Sequence, residues 1–216
     1  MLIAPASPAP RTLSALESMY PSSLHTVSGS ASYAATTTTA YGYVIAGTCR
    51  VVGEFGVFTL VQGSYFCVPG AFRVEADGEV AIIERLGFRG LFAAGRIEAT
   101  GRLAYIDGCS DTLLVYPPRL GDPVLNHLHF PTNINQSVHS HPSIRLGVVA
   151  RGHGVAHGPG WEHVLALGDV FLLAPHEMHA FRTSGSTMDI IAFHPDSDWG
   201  PTDEQHPMRN RTYLRT

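Results

Sequence analysis

Short apolar runs, separated by turn-forming residues, are the main pattern along this chain. Typical runs occupy residues 41–47, 55–60 and 145–152, and each ends at or close to a glycine. Runs of this length, with frequent Gly and Pro between them, are typical of the strands of a sandwich or barrel. Only the stretch Thr12–Tyr20 has a spacing of apolar residues that predicts a short helix. The pattern therefore predicts an all-β fold.

Two parts of the chain carry the same order of apolar strand, glycine, strand, glycine and proline. The repeated landmarks are Gly47, Gly63 and Pro69 in the first part and Gly152, Gly168 and Pro175 in the second. In both parts the two glycines are 16 positions apart, and the proline follows six or seven positions later. A chance match in a chain with 22 glycines is the alternative. The spacing predicts a duplicated β unit, divided between residues 110 and 120.

Composition narrows the class of protein. Apolar residues make up 44% of the 216 positions and charged residues 15%, which predicts a sizeable core. The net charge is −4 and the 14 basic residues are scattered, so we expect no nucleic-acid partner. No apolar run reaches the roughly 18 residues of a membrane span. Three cysteines without CxxC spacing, and a poor signal sequence over Met1–Arg11, favour a reducing, cytoplasmic location.

The most informative stretch is His139-Ser-His141. Residues i and i+2 of a strand point to one face, so the two imidazoles are expected to share one space. Imidazole is a common ligand for zinc, iron, copper and nickel. His179, which follows the Gly168 to Pro175 turn, is the best third ligand. We predict that these three histidines hold one divalent metal ion, although the 12 histidines include decoys such as His127-Leu-His129.

The spacing around these histidines resembles the two motifs of the cupin superfamily. The first cupin motif is HxH, three or four residues, Glu, six residues and Gly; here three residues, Arg145, six residues and Gly152 follow the HxH pair. The second motif is Gly, about five residues, Pro, and a His four or five positions later. This chain has Gly168, then Pro175, then His179.

The resemblance implies an all-β fold of two jelly-roll (cupin) β-barrel units, with a metal in the mouth of one. The first unit has no HxH pair and has Arg73 where the second has His179, so it resembles a degenerate copy. The expected division is an N-terminal arm over residues 1–34, a degenerate cupin unit without metal ligands over 35–115, a cupin unit with the metal site over 116–196, and a C-terminal tail over 197–216.

Arg145 departs from the family pattern, because a guanidinium has no acceptor with which to replace the usual Glu ligand. An inward-facing Arg can hold a carboxylate, phosphate or enolate oxygen bidentately. We therefore predict that Arg145 holds an anion beside the metal; the alternative is that it turns outward or pairs with an acid such as Asp169 or Asp189. Gln136 either faces the same pocket or lies in a solvent-exposed turn.

By resemblance, three-His cupins include dioxygenases. The hypothesis is a mononuclear non-haem metal oxygenase of dioxygenase type, acting on a small anionic organic substrate that Arg145 orients during catalysis. Fe²⁺ is the favoured ion, with Zn²⁺, Ni²⁺, Mn²⁺ or Cu²⁺ as alternatives. The other functional readings are a non-catalytic ligand-binding or sensor protein and a metal-dependent lyase, cyclase or isomerase. We expect a homodimer, by resemblance to cupins, without nucleic-acid or membrane partners.

Overall fold

The computed structural model describes residues 1–209 and 212–213, and strands make up most of its regular structure. The strands are β1 (Leu2–Ala4), β2 (Thr12–Ala15), β3 (Ser22–Tyr33), β4 (Thr39–Ala46), β5 (Thr48–Gly53), β6 (Gly56–Val61), β7 (Ser64–Pro69), β8 (Phe72–Arg85), β9 (Ala93–Arg96), β10 (Leu103–Ala104), β11 (Ser110–Val115), β12 (Val124–Phe130), β13 (Arg145–Gly158), β14 (Trp161–Ala166), β15 (Val170–Leu173), β16 (Ala180–Arg182) and β17 (Met188–His194). Short 3₁₀ turns cover Ile106–Gly108 and Pro207–Arg209. Within the described residues no helix is long and apolar enough to cross a membrane.

The strands form two antiparallel sheets, which confirms the predicted all-β fold. The first sheet has eight strands, with the order β2-β3-β8-β4-β7-β9 and β5 and β6 attached to it. The second has nine strands, with the order β1-β15-β13-β17-β12-β11-β10 and β14 and β16 attached through β13. The 14-residue strand β13 bends, so that its first half pairs with β15 and β17 and its second half with β14 and β16.

A glycine covered by a phenylalanine ring recurs at the same place in both sheets. Gly42 pairs with Phe66 across β4 and β7, and Gly147 pairs with Phe171 across β13 and β15. A Cβ at Gly42 would lie 2.0 Å from the Phe66 ring, and one at Gly147 would lie 2.3 Å from the Phe171 ring. Only glycine leaves room for the ring. Each phenylalanine follows its turn glycine by three positions, so the spacing predicted from the sequence corresponds to a repeated packing unit.

The two sheets exchange one strand each. β1 pairs with β15 of the second sheet, although β2 and β3, which follow it, belong to the first sheet. Conversely, β9 pairs with β7 of the first sheet, although the strands that follow it belong to the second. This exchange was not predicted, because strand pairing between distant segments is not encoded in local spacing.

The first 34 residues, which were predicted to form an N-terminal arm, contain the strands β1, β2 and β3. The predicted helix over Thr12–Tyr20 is wrong. Thr12–Ala15 is a strand whose side chains alternate between exposed and half-buried, because β2 pairs with β3 and Leu13 packs against the core. The domain boundaries after residues 34, 115 and 196 stay predictions, and part of the predicted tail lies outside the described residues.

Three apolar clusters hold the molecule together. One fills the inside of the first barrel, one the inside of the second, and the third lies between the barrels. Tyr41 and Phe193 meet in the third cluster, with ring centroids 4.8 Å apart. Because side chains alternate along a strand, β12, β13 and β17 each send one set of residues into this shared core and the other set into the second barrel. The three cysteines are buried and free.

Candidate metal centre

The HxH pair lies in an extended segment between β12 and β13, not in a regular strand as predicted. Two backbone hydrogen bonds fix it, since the N–H of His139 donates to the carbonyl of His179 at 2.9 Å and the N–H of His179 donates back at 2.8 Å. The N–H of His176 also donates to the carbonyl of His141 at 2.7 Å. These bonds hold the HxH segment against the turn before β16, so the three predicted ligands are brought together by backbone pairing.

One ring nitrogen from each of His139, His141 and His179 lies within 4.8 Å of the others. Two nitrogens bound to one ion are at most about 4.2 Å apart, so the cluster is close to coordinating geometry. Nδ1 of His139 donates to the carbonyl of Ser137 at 2.9 Å, and Nδ1 of His179 donates to that of Glu177 at 2.8 Å. In this tautomer each ring has Nε2 free as an acceptor, which is the usual way a ligand histidine is oriented.

Burial keeps the imidazoles of His141 and His179 neutral. Desolvation lowers the pKa of His141 to about 3, and the charge of Arg145 and the neighbouring histidines act in the same direction. The pKa of His179 is also lowered to about 3, by burial first and then by His139 and Arg145. A metal ion binds the neutral form of histidine, so the donors are ready for it at neutral pH.

Arg145 begins β13 and is 7% exposed. Its Nη1 donates to the hydroxyl of Ser143 at 2.7 Å and to the carbonyl of Ile144 at 2.8 Å. The nearest acid is Asp196, 3.9 Å away, whose carboxylate also accepts from the Ser143 hydroxyl. Nε of Arg145 is buried without a hydrogen-bond partner in the described chain. One edge of the guanidinium therefore remains able to bind an anion.

The alternative partners considered for Arg145 have other contacts. Asp169 accepts backbone hydrogen bonds from Ala6 and Ala166, at 2.7 and 2.8 Å. Asp189 accepts from His127 and His129, at 2.8 and 2.9 Å, and its other oxygen lies 2.8 Å from Nε of Arg151.

His127 and His129 are on the face of β12 that points away from the cavity, as the alternation with the cavity residue Leu128 requires. They donate hydrogen bonds to Asp189 and are not part of the histidine cluster.

Two connected spaces adjoin the histidine cluster. An inner cavity of about 50 Å³ lies inside the second barrel, and an outer groove of about 410 Å³ lies at its mouth. His141, Arg145, His194 and Asn126 line both spaces. The outer groove has the size of a small-molecule site, whereas the inner cavity has room only for a small substituent. A ligand that fills the groove can therefore contact both His141 of the cluster and Arg145.

The structure decides between the two alternatives for Gln136 and adds three lining residues that the sequence did not predict. Gln136 is buried and faces the inner cavity, so the turn alternative for it is wrong. Asp111, Asn126 and His194 also line this cavity. A polar residue at the inward position of an otherwise apolar strand is the one local signal that could have identified Asn126. Asp111 and His194 gave none, because both are next to turn-forming residues.

Strand register changes one equivalence drawn from the sequence. In the second sheet Ala156 pairs with Phe181, and in the first the equivalent Val51 pairs with Val74. Phe181 is thus equivalent to Val74. His179 and Phe72 each lie two residues before these positions, so His179 corresponds to Phe72 and not to Arg73. Phe72 pairs with Tyr33 as His179 pairs with His139. The first barrel thus has a stacked Tyr–Phe pair, with centroids 4.6 Å apart, where the second has two histidines.

Comparisons with known proteins agree with this architecture. Residues 124–215 match the AraC-like ligand binding domain family. A cupin 2 conserved barrel domain protein from Leptotrichia buccalis aligns with a TM-score of 0.64 and 16% identity, over 88% of this chain and 90% of that one. A Pseudomonas aeruginosa protein whose name describes it as glyoxylate-induced aligns with a TM-score of 0.69 and 14% identity, over 89% and 82% of the chains.

A third similar structure is a salicylate 1,2-dioxygenase from Pseudaminobacter salicylatoxidans, with a TM-score of 0.65 and 13% identity over 82% of this chain and 71% of that one. A variant of this enzyme has been solved in complex with gentisate. Among curated proteins, none matches the chain by sequence. These similarities show that the chain has the double β-barrel fold of cupin proteins, and that its second half is similar to the AraC-like ligand binding domain family.

Proposed function

We propose that the second barrel binds one divalent metal ion through Nε2 of His139, His141 and His179, with Fe²⁺ as the favoured ion. The support is the convergence of three imidazoles, two of which have Nδ1 held by a backbone carbonyl. Borderline nitrogen donors of this kind suit Fe²⁺, Zn²⁺, Ni²⁺ and Cu²⁺, and Mn²⁺ is a weaker fit. An ion held by three neutral ligands keeps its full charge and has unfilled coordination positions, which suit oxygen chemistry for iron and Lewis-acid chemistry for zinc or nickel.

Arg145 is the proposed substrate-orienting residue. Its Nη1 is held by Ser143 and Ile144, so the guanidinium has a fixed orientation before a ligand arrives. Its Nε lacks a hydrogen-bond partner, and Arg145 lines the same two spaces as His141. A carboxylate accepts two parallel hydrogen bonds from one edge of a guanidinium. The outer groove then holds the body of the ligand, where Pro142, Leu113 and Trp199 provide apolar contacts.

These features favour a dioxygenase-type oxidoreductase that acts on a small anionic organic substrate with molecular oxygen as co-substrate. The observation that carries this proposal is a buried, half-paired Arg beside three convergent histidines. The similarity to a salicylate 1,2-dioxygenase, also solved with gentisate, supports it, since both compounds are carboxylates.

A non-catalytic ligand-binding protein is the second candidate. Two observations favour it: the match to the AraC-like ligand binding domain family, and an inner cavity that aromatic residues such as Phe130, Phe171 and Phe181 nearly fill. A lyase, cyclase or isomerase replaces the oxidoreductase proposal if the resident ion is zinc, because Zn²⁺ has no redox chemistry with which to activate oxygen.

Elemental analysis of the purified protein beside His141→Ala tests the proposal. We expect about one metal ion per chain in the wild type and loss of it in the variant. If the metal is iron, oxygen uptake is measured with small aromatic carboxylates. Uptake that is abolished in Arg145→Ala supports the proposed oxidoreductase activity. Absence of any metal after reconstitution contradicts the metal site. A metal-loaded protein that binds such carboxylates without oxygen uptake or product favours the ligand-binding protein.

A further inference from the structure

The inner cavity of the second barrel contains a concentration of unpaired polar atoms. Ten buried side-chain nitrogen or oxygen atoms in the described residues have no hydrogen-bond partner, and four of them belong to residues that line this one cavity. One is the donor Nε of Arg145. The other three are acceptors: Oδ1 of Asp111, Oδ1 of Asn126 and Oε1 of Gln136. Buried acceptors are normally paired, so three of them around one small cavity need a physical explanation.

Burial makes these acceptors costly for the folded chain. Asp111, Asn126 and Gln136 are 8%, 5% and 3% exposed. The surrounding wall, which includes Leu128 and Ile190, is apolar. Apolar residues of the same size would pack there without an unsatisfied group, as they do in the first barrel. A polar wall that weakens folding is typical of a binding site.

The contact between Asp111 and Asn126 fixes which atoms face the cavity. Nδ2 of Asn126 donates to Oδ2 of Asp111 at 2.7 Å. This bond orients the amide, because an amide oxygen at that place would oppose a carboxylate oxygen. The atoms that remain unpaired are therefore both acceptors. Burial raises the pKa of Asp111, and the hydrogen bond from Asn126 only partly opposes this effect.

We propose that Asp111, Asn126 and Gln136 form a subsite that accepts hydrogen bonds from a hydroxyl or amino group of the ligand whose carboxylate binds Arg145. The substrate class is then a small carboxylate that also carries a hydrogen-bond donor. The inference rests on the proposed function, since it assigns a second contact to the ligand of the same site. The dimensions agree, because the inner cavity of about 50 Å³ takes a hydroxyl or amino group while the groove of about 410 Å³ takes the body.

Trp199 provides a binding signal that does not depend on turnover. It lines the outer groove and is one of two tryptophans, the other being Trp161 in β14. The full-length, metal-loaded Trp161→Phe protein is titrated under anaerobic conditions, and quenching of Trp199 fluorescence gives Kd. The probes are benzoate and its 2-, 3- and 4-hydroxy, amino and methoxy derivatives. The methoxy compounds match the hydroxy compounds in shape and lack the donor.

We expect at least one hydroxy or amino isomer to bind about tenfold or more tightly than benzoate and its own methoxy counterpart, because it satisfies buried acceptors. In the double variant Asp111→Leu/Asn126→Leu this preference should fall to within about twofold, with the Kd of benzoate nearly unchanged. Gln136→Leu should reduce it in part. Asp111→Asn, which turns one acceptor into a donor, should shift the preference toward the methoxy compound.

Thermal unfolding of every variant shows that it is folded, and Asp111→Asn keeps the side-chain shape if the double variant does not fold. A wild-type preference below about twofold for every isomer, including failure of all probes to bind, overturns the subsite. So does a preference that the variants leave unchanged. If benzoate binds in an Arg145-dependent manner without preference, only the subsite fails. If the preference holds but metal or oxygen uptake is absent, the subsite stands and the oxidoreductase fails.

Discussion

The two barrels share a packing unit but differ in what fills it. Ala40 of the first barrel is structurally equivalent to Arg145 of the second, because Ala40 pairs with Val68 in the same register as Arg145 pairs with Leu173. By the same register Ile82 corresponds to Ala192. An apolar cluster fills the interior of the first barrel, whereas the interior of the second also contains polar groups without partners.

This comparison distinguishes the residues that both barrels need for folding from the residues that belong to the proposed site of the second barrel. The glycine and phenylalanine pairs, which set how the sheets close, occur in both barrels. The residues that differ lie at the mouth and in the interior, where the second barrel has smaller or polar side chains. Unpaired polar groups there do not improve packing, so we attribute them to the binding of a ligand.

His179→Phe should have the largest effect, which is on metal affinity. It replaces a proposed ligand by Phe, the residue at the equivalent position of the first barrel. A phenyl ring offers no lone pair, and the first barrel shows that Phe is accepted at this place in the fold. Loss of a supporting group alone costs 10- to 100-fold in metal affinity, so loss of a ligand should exceed about 100-fold. Elemental analysis should find little metal after dialysis. His163→Phe on the exposed face of β14 is the control, and full retention of metal in His179→Phe would contradict the site.

Asp189→Asn should be the most destabilising of the remaining changes. Asp189 is buried between two histidines and Arg151, and its replacement leaves their donors without a charged acceptor. We expect a loss of about 3 kcal/mol in the free energy of unfolding, measured by urea denaturation. The first-barrel counterpart is Glu79, which forms a more exposed ion pair, so Glu79→Gln should cost less. Equal effects would contradict the comparison.

The pH dependence of this effect has a defined sign. Burial by itself would raise the pKa of Asp189, but hydrogen bonds from His127 and His129 and the charge of Arg151 outweigh it, so the pKa is lowered. A lowered carboxyl pKa contributes stability above the unfolded value of about 3.9, and this contribution is lost as the pH falls through the folded pKa. The stability difference between wild type and Asp189→Asn should therefore shrink below about pH 4. A difference that grows there would show that the carboxylate is not stabilised.

Arg145→Ala copies Ala40 of the first barrel and should act on binding more than on folding. Loss of a buried, charge-assisted contact is expected to weaken benzoate binding about 100-fold, as measured by Trp199 fluorescence. Arg119→Ala, at an exposed position, should leave Kd unchanged. An unchanged Kd in Arg145→Ala would show that this guanidinium does not bind the carboxylate.

The smallest effects are expected for two equivalent glycine substitutions, one in each barrel, and should be similar in size. Gly42→Ala and Gly147→Ala each place a Cβ inside a phenylalanine ring, so the rings must shift. Overpacking of this kind should lower the free energy of unfolding by about 2 kcal/mol in both variants. Thermal or chemical denaturation measures it. A large effect in one barrel and none in the other would show that the repeat in sequence is not a repeat in packing.

The sequence by itself determined the features that depend on local spacing. Alternation and turn residues gave the all-β fold, and equal glycine spacings indicated the repeat. The HxH pair with His179 identified the three residues that the structure brings together. Each of these signals lies within a few residues of the next, or repeats at a fixed interval, so it can be identified without knowing which strands pair.

Only the tertiary structure decided the rest, because it depends on pairing between segments far apart in the chain. Pairing places β1 on β15 and β9 on β7, and register makes Phe72, not Arg73, the counterpart of His179. The same pairing places Asp196 beside Arg145, and it brings Asp111 of β11 and Asn126 of β12 to one wall. The residue type fixes which hydrogen bonds a polar side chain can make. Whether the side chain is buried, paired or free depends on residues that are distant in the sequence.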